Sequence, residues 1–168
     1  MCSIIGYYGK NLAAPILVKG LQKMEYRGYD SVGVATKTDT EILVKKGVGK
    51  VVEVNTKVQL DNLPGMVGIG HTRWATHGKV SDKNAHPHPS NSGKIAIVHN
   101  GIVENYEEIK EMLTSNGFKF QSDTDTEVVA NLIQANFDES NDSTEANSFD
   151  LSTPYFKLHE EFVLAPTL

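Results

Sequence analysis

Cys2 carries the only thiol in the sequence, directly behind Met1. A small side chain at position 2 permits removal of Met1, which would leave a thiol and a free α-amine on one carbon. With ordinary pKa values of ~8.5 and ~8, that pair supplies a nucleophile and a proton acceptor in a single residue. The plainer reading of Cys2 is a small hydrophobe at a strand start. Three other clusters hold residue types that do chemistry. EYRGYDS at 25–31 places Arg27 between a helix and a strand. HTRWATHG at 71–78 groups Arg73, Trp74, Thr76 and His77. An arginine can fork onto a carboxylate through two parallel hydrogen bonds, and Thr76 and His77 can add donors beside it. At Asn100-Gly101 a side-chain amide and a backbone N–H can converge on one oxygen, as an oxyanion hole requires. Taken singly, each has a plainer reading. Arg27 and Arg73 read as solvated loop cations, Trp74 as cover for core surface, and Asn100-Gly101 as a hairpin turn. His86-Pro87-His88 has the look of a metal-ligand pair, but no cysteine or carboxylate stands at ligand spacing, so neither metal nor cofactor is expected.

The elements that must position these residues follow from periodicity. An apolar, β-prone run predicts a strand over Ser3–Tyr8, with Cys2 at its tip. Ile16, Leu17, Leu21 and Met24 share one face of a helix over 13–25. Strands are predicted at 31–36 and 41–46 around a polar turn, at 67–71, and at 95–99. Lys50–Leu60 is ambiguous. Thr72–Lys94 has no period at all, and its histidines and tryptophan mark a functional loop rather than disorder. Asn105 with Glu108, and Thr124 with Glu127, have capping-box spacing ahead of two helices; Gly117 ends the first, and Val128, Val129, Leu132 and Ile133 face inward from the second. Strands covered by helices make this an α+β layered fold. After Phe137 the chain turns acidic and polar (DESNDSTEANSFD), which predicts a domain over 1–137 and a linker and tail over 138–168.

The 168 residues suffice for a core without disulfides. A formal net charge of -5 argues against nucleic acid as a partner. No apolar run approaches the roughly 18 residues that a membrane span needs, and the N-terminus lacks a signal-peptide pattern. A cytoplasmic setting is expected, with a reducing environment that keeps Cys2 free.

In combination the motifs are far more specific. Cys2 with its strand, EYRGYDS at 25–31, HTRWATHG at 71–78, NAHPH at 84–88, HNGIVEN at 99–105 and SDTDTE at 122–127 occur in one order. The stretch from Met1 to about Phe137 resembles the N-terminal glutaminase domains of the glutamine–fructose-6-phosphate aminotransferase (isomerizing) family. These are class II glutamine amidotransferases with the four-layer αββα N-terminal-nucleophile hydrolase fold. The resemblance implies that Cys2 attacks the side-chain amide of glutamine while its own α-amine accepts the proton. It implies an oxyanion hole at Asn100 and the Gly101 N–H. Arg73, assisted by Thr76 and His77, would hold the glutamine α-carboxylate, and Asp125 the α-ammonium. Arg27 would order the nucleophile end, and Trp74 would lie on a loop that closes over glutamine. A sugar-phosphate isomerase domain is the expected partner in the full-length enzyme, with a homodimer left open. Two departures stand out. The family has glycine after the nucleophile, where this chain has Ser3, a side chain that could crowd the site. Residues 138–168 do not resemble the family's continuation, so the chain reads as a piece of a longer domain. The alternatives are a fragment that keeps the site residues without catalysis, or the glutaminase domain of another class II amidotransferase.

Overall fold

In the computed structural model, which describes residues 2–74, 79–141 and 161–164, the first apolar run forms strand β1 (Ser3–Tyr8). Helix α1 (Ala13–Met24) follows. Next come β2 (Ser31–Lys37) and β3 (Ile42–Val48), either side of the polar turn. With β4 (Val67–Arg73) they make an antiparallel sheet in the order β1-β4-β2-β3. Alternation along β2 sends Val32 and Val34 toward α1 and Ala35 toward the second sheet. On α1, Leu17, Val18 and Leu21 fill the facing stripe, and the two leucines are fully buried. Each such leucine stabilises the fold by about 2–3 kcal/mol. The helix can descend this far because β4 offers glycine on that face. A Cβ at Gly68 would lie 2.8 Å from Leu17 Cδ1, and one at Gly70 would lie 2.9 Å from Leu21 Cδ1.

The second sheet has the order β5-β6-β7, made of β5 (His88–Pro89), β6 (Ala96–His99) and β7 (Glu161–Leu164). Ala96 and Val98 of β6 meet Ala35 and Ile69 between the sheets. Ile97 points the other way, into a cluster with Val128 and Leu132 of α4 (Asp125–Asn141) and Leu113 of α3 (Tyr106–Ser115). Helix α2 (Val51–Val58) joins α1 on the outer face of the first sheet. The layers therefore run helices, sheet, sheet, helices, the αββα arrangement that the family resemblance implied. No helix among the described residues is long and apolar enough to cross a membrane.

Several local expectations change. Lys50–Leu60 contains α2, whose buried Val51 and Val54 hold helical spacing. β-branched residues are weak helix formers, and that hid the period. The Glu25 carboxylate accepts the Val51 N–H at 2.6 Å and completes the helix start from 26 residues away in sequence. Asn105 does precede α3, but its side chain makes no cap hydrogen bond, so the predicted box is not formed. Gly117 has φ +89° just past that helix, in keeping with its role as a stop. At α4, Thr124 Oγ1 accepts the Glu127 N–H at 3.4 Å. The Glu127 carboxylate instead accepts from the Gln121 and Ser122 N–H groups, at 2.8 and 2.6 Å, and from the Ser122 hydroxyl at 2.6 Å. It fastens the loop ahead of the helix rather than closing a box. Helix α4 continues past Phe137 to Asn141, and β7 adds a strand from the tail to β6. The remaining residues of the 138–168 segment, 142–160 and 165–168, lie outside the described residues.

Candidate active site

The C-terminal end of β4 lies beside the start of β1, with Ser3 opposite Thr72. This brings Cys2 to Arg73 and Trp74. The Trp74 N–H donates to Cys2 Sγ at 3.3 Å, and the thiol in turn lies 3.8 Å from the Trp74 carbonyl. Ser3 does not crowd this arrangement. Neighbouring residues of a strand point to opposite faces, and the Ser3 hydroxyl is buried on the far side, donating to the Met24 carbonyl at 3.3 Å.

Arg27 comes from a 3-10 turn (Glu25–Arg27) that leaves α1. The loop behind it presses on the same backbone. The Asp30 N–H donates to the Arg73 carbonyl at 3.0 Å, and the Tyr29 ring meets the Trp74 ring edge-on at 5.3 Å. A Cβ on Gly28 would fall 2.9 Å from Arg73 C and 3.0 Å from Trp74 N. Backbone atoms cannot yield as a side chain can, so Gly28→Ala is expected to cost about 1–3 kcal/mol. A lowered thermal midpoint would show it; an unchanged one would mean that this contact is dispensable.

Cys2, Arg27, Arg73 and Trp74 line one cavity of about 650 Å³ with Asn100, Gly101 and Asp125. Asn100 and Gly101 follow β6, and Asp125 opens α4. The Asp125 carboxylate accepts the Val103 N–H at 2.8 Å and so ties the Asn100 loop to the helix. Arg73 Nη1 donates to the Asn84 carbonyl at 3.4 Å. Asn84 is itself fixed, since its side chain donates to the Lys79 carbonyl at 3.1 Å and accepts the Asp123 N–H at 3.0 Å. Thr76 and His77, expected beside Arg73, lie outside the described residues, as does Met1.

His71 and His86 line the same cavity; the sequence offered His86-Pro87-His88 only as a metal-ligand pair and did not join it to His71. The His71 ring stacks on His86 with centroids 4.3 Å apart, and His86 meets His88 edge-on at 4.6 Å. His71 Nε2 is 2.9 Å from Asn100 Oδ1. The loop that carries His86 and His88 is held by Lys46, whose ammonium donates to the Ala85 and Pro87 carbonyls at 2.6 and 3.0 Å. Burial lowers Lys46 to about 8, against the pull of Glu127 and Asp82. Among the described residues, no group of three or more His, Cys, Asp or Glu is placed to hold a metal ion.

Burial pushes His71 down to about 4, with the Asn100 hydrogen bond opposing it. It also drives His86 and His88 well below the usual imidazole range, and neighbouring cationic and imidazole groups add to the effect. The unfolded chain protonates these rings below about 6.5, while the folded chain resists. The unfolded state therefore binds more protons in the window from about 6.5 down to 4, and stability falls as pH drops through it. For His71 alone the loss is roughly 3 kcal/mol. Urea midpoints should decline steadily from neutral pH into that window; midpoints flat with pH would show that the rings take up protons in place.

The frame is that of the N-terminal-nucleophile amidotransferases. The chain superimposes on the Bacillus subtilis glutamine phosphoribosylpyrophosphate amidotransferase, in its complex with ADP and GMP. The TM-score is 0.66 at 31% identity, over 80% of this chain and 29% of that one. A second structure, described as the allosteric regulatory enzyme of purine biosynthesis, gives a TM-score of 0.68 at 31% identity, with the same coverage. The sequence pattern described as "Glutamine amidotransferase domain" matches residues 59–143, and the chain belongs to that family. Its relatives include the glutamine–fructose-6-phosphate aminotransferase (isomerizing) of Pyrococcus horikoshii, 55% identical over 136 residues, or 81% of this chain and 23% of the relative. The Clostridium tetani enzyme of the same name is 58% identical over 133 residues, or 79% and 22%. The chain thus spans less than a quarter of the length of these relatives.

Proposed function

We propose that this domain hydrolyses the side-chain amide of glutamine and releases ammonia. The observation that carries the reading is the convergence of Cys2, Arg73, Asn100, Gly101 and Asp125, from four separate parts of the chain, on one cavity. Glutamine has a carboxylate and an ammonium at one end, so Arg73 and Asp125 can hold that end and leave the amide to reach Cys2. Cys2 Sγ forms a bond to the amide carbon as the thiol proton passes to the residue's own α-amine. The oxyanion so formed takes hydrogen bonds from the Asn100 amide and the Gly101 N–H. The α-ammonium returns its proton to the departing nitrogen, the C–N bond breaks, and ammonia leaves a thioester on Cys2. Water, deprotonated by the freed α-amine, then releases glutamate. Arg27 supports the nucleophile end, and Thr76 and His77 add donors at the carboxylate. Trp74, at the mouth of the cavity, shields the ammonia from bulk water.

The relatives' name favours fructose 6-phosphate as the acceptor of that ammonia in the whole protein, and so a place in amino-sugar synthesis in the cytoplasm. The 50–58% identity to those enzymes against 31% to the purine enzymes favours this member of the superfamily. Hydrolysis is tested by incubating the full chain with glutamine and measuring glutamate and ammonia in equal amounts. Glutamate production with an intact domain supports the reading, and its absence from a folded, Met1-free chain removes it.

A further inference from the structure

The oxyanion role of Asn100 requires its NH₂ group, and not its oxygen, to face the developing oxyanion. An amide side chain turns over a broad, roughly two-fold torsion, so something must choose between the two faces. Asn100 Oδ1 lies 2.9 Å from His71 Nε2. A carbonyl oxygen only accepts, so Nε2 must donate. The surroundings agree with that tautomer: His71 is 1% exposed, and its Nδ1 has no hydrogen-bond partner among the described residues. A proton on Nδ1 would be stranded, whereas on Nε2 it is satisfied. The ring is also fixed in place. It sits on β4 opposite Ile4 of β1 and Gly33 of β2. It stacks on His86, which meets His88, whose Nε2 lies 3.1 Å from Thr124 Oγ1. The wall runs from the residue beside Asp125 to Asn100.

We propose that His71 is a positioning residue for the oxyanion hole: its Nε2–H, on a ring braced by the stacked His86 and by His88 edge-on to His86, holds the Asn100 amide with its NH₂ turned into the cavity. The inference rests on the glutaminase reading and adds a residue to it. A turned-over Asn100 would set NH₂ against N–H at His71 and an oxygen against the developing oxyanion, so His71 penalises the wrong face at both ends.

Loss of one oxyanion donor lowers kcat by about 10²–10³-fold. His71→Leu is therefore expected to lower kcat for glutamine by about 100-fold, with KM changed by no more than about twofold, because Arg73 and Asp125 are untouched. His71→Gln, which returns an N–H near the position of Nε2, should recover about tenfold of that loss. In an Asn100→Ala background, His71→Leu should lower kcat by less than about twofold, since its effect runs through Asn100. A role limited to core packing would give equal losses in both backgrounds and no recovery in His71→Gln. Imidazole ¹⁵N shifts of the unaltered chain give a reading independent of how the variants fold: protonated Nε2 with bare Nδ1 supports the assignment, and the opposite tautomer overturns it. An unaltered chain that does not hydrolyse glutamine removes the glutaminase reading and this inference together. An active chain with the opposite tautomer, or with kcat unchanged in His71→Leu, overturns the positioning role alone.

Discussion

Cys2→Ala is expected to reduce glutamine hydrolysis by about 10⁴–10⁶-fold, the range seen when a covalent nucleophile is removed from a site that otherwise survives. Nothing in the sequence can replace it, because no second cysteine is present. The fold should be indifferent to the change. The Cys2 side chain is partly exposed, and among the described residues the hydrogen bonds of its thiol are with the Trp74 backbone. The thermal midpoint of Cys2→Ala should therefore match that of the parent while glutamate release stops. Cys2→Ser keeps a hydroxyl in place of sulfur and should fall between the two. Release at the parental rate by Cys2→Ala would remove the nucleophile from the account.

Arg73→Ala is expected to lower kcat/KM for glutamine by about 30- to several thousand-fold, equivalent to the roughly 2–5 kcal/mol lost when one partner of a buried charge pair is truncated. The loss should fall mainly on KM, since the carboxylate lies away from the reacting amide. Weaker inhibition by the product, glutamate, should accompany it. Arg73→Lys keeps the charge without the planar fork, so it should recover only part of the loss. The Arg73 guanidinium also donates to the Asn84 carbonyl, so the stability of each variant must be measured beside its kinetics. Unchanged kcat/KM in a folded Arg73→Ala chain would exclude the carboxylate role.

What could be read from the sequence was whatever depends on near neighbours. The leucine stripe of α1 and the apolar runs of β1, β2, β4 and β6 show their period directly, and each element lies within a few residues of its expected place. Residues that act across the fold were harder to read. Glu25 completes the start of α2 from 26 residues away, yet no local spacing distinguishes this partner from any other. The unperiodic stretch from 72 to 94 was legible as a loop. Its anchoring was not, because Lys46 holds it through backbone carbonyls, which every residue carries. The candidate site divides in the same way. Cys2, Arg73, Asn100 and Asp125 stand out by residue type and motif. His71 and Asn84 matter through what they touch, Asn100 Oδ1 and the Arg73 guanidinium, and those partners come from other elements. The position of Ser3 shows the converse. Strand alternation alone turns it away from Cys2 toward α1, so a departure that looked disruptive in the motif is accommodated in the fold.

The central claim is that Cys2, freed from Met1, is the nucleophile of a glutamine-splitting site. Intact mass and glutamate release, measured on one preparation incubated with glutamine and on its Cys2→Ala counterpart, test it most directly. The expected result is a chain that lacks Met1 and accumulates glutamate, beside a folded Cys2→Ala chain that does not. Equal glutamate release by the two chains, or undiminished release by a chain that retains Met1, would contradict it.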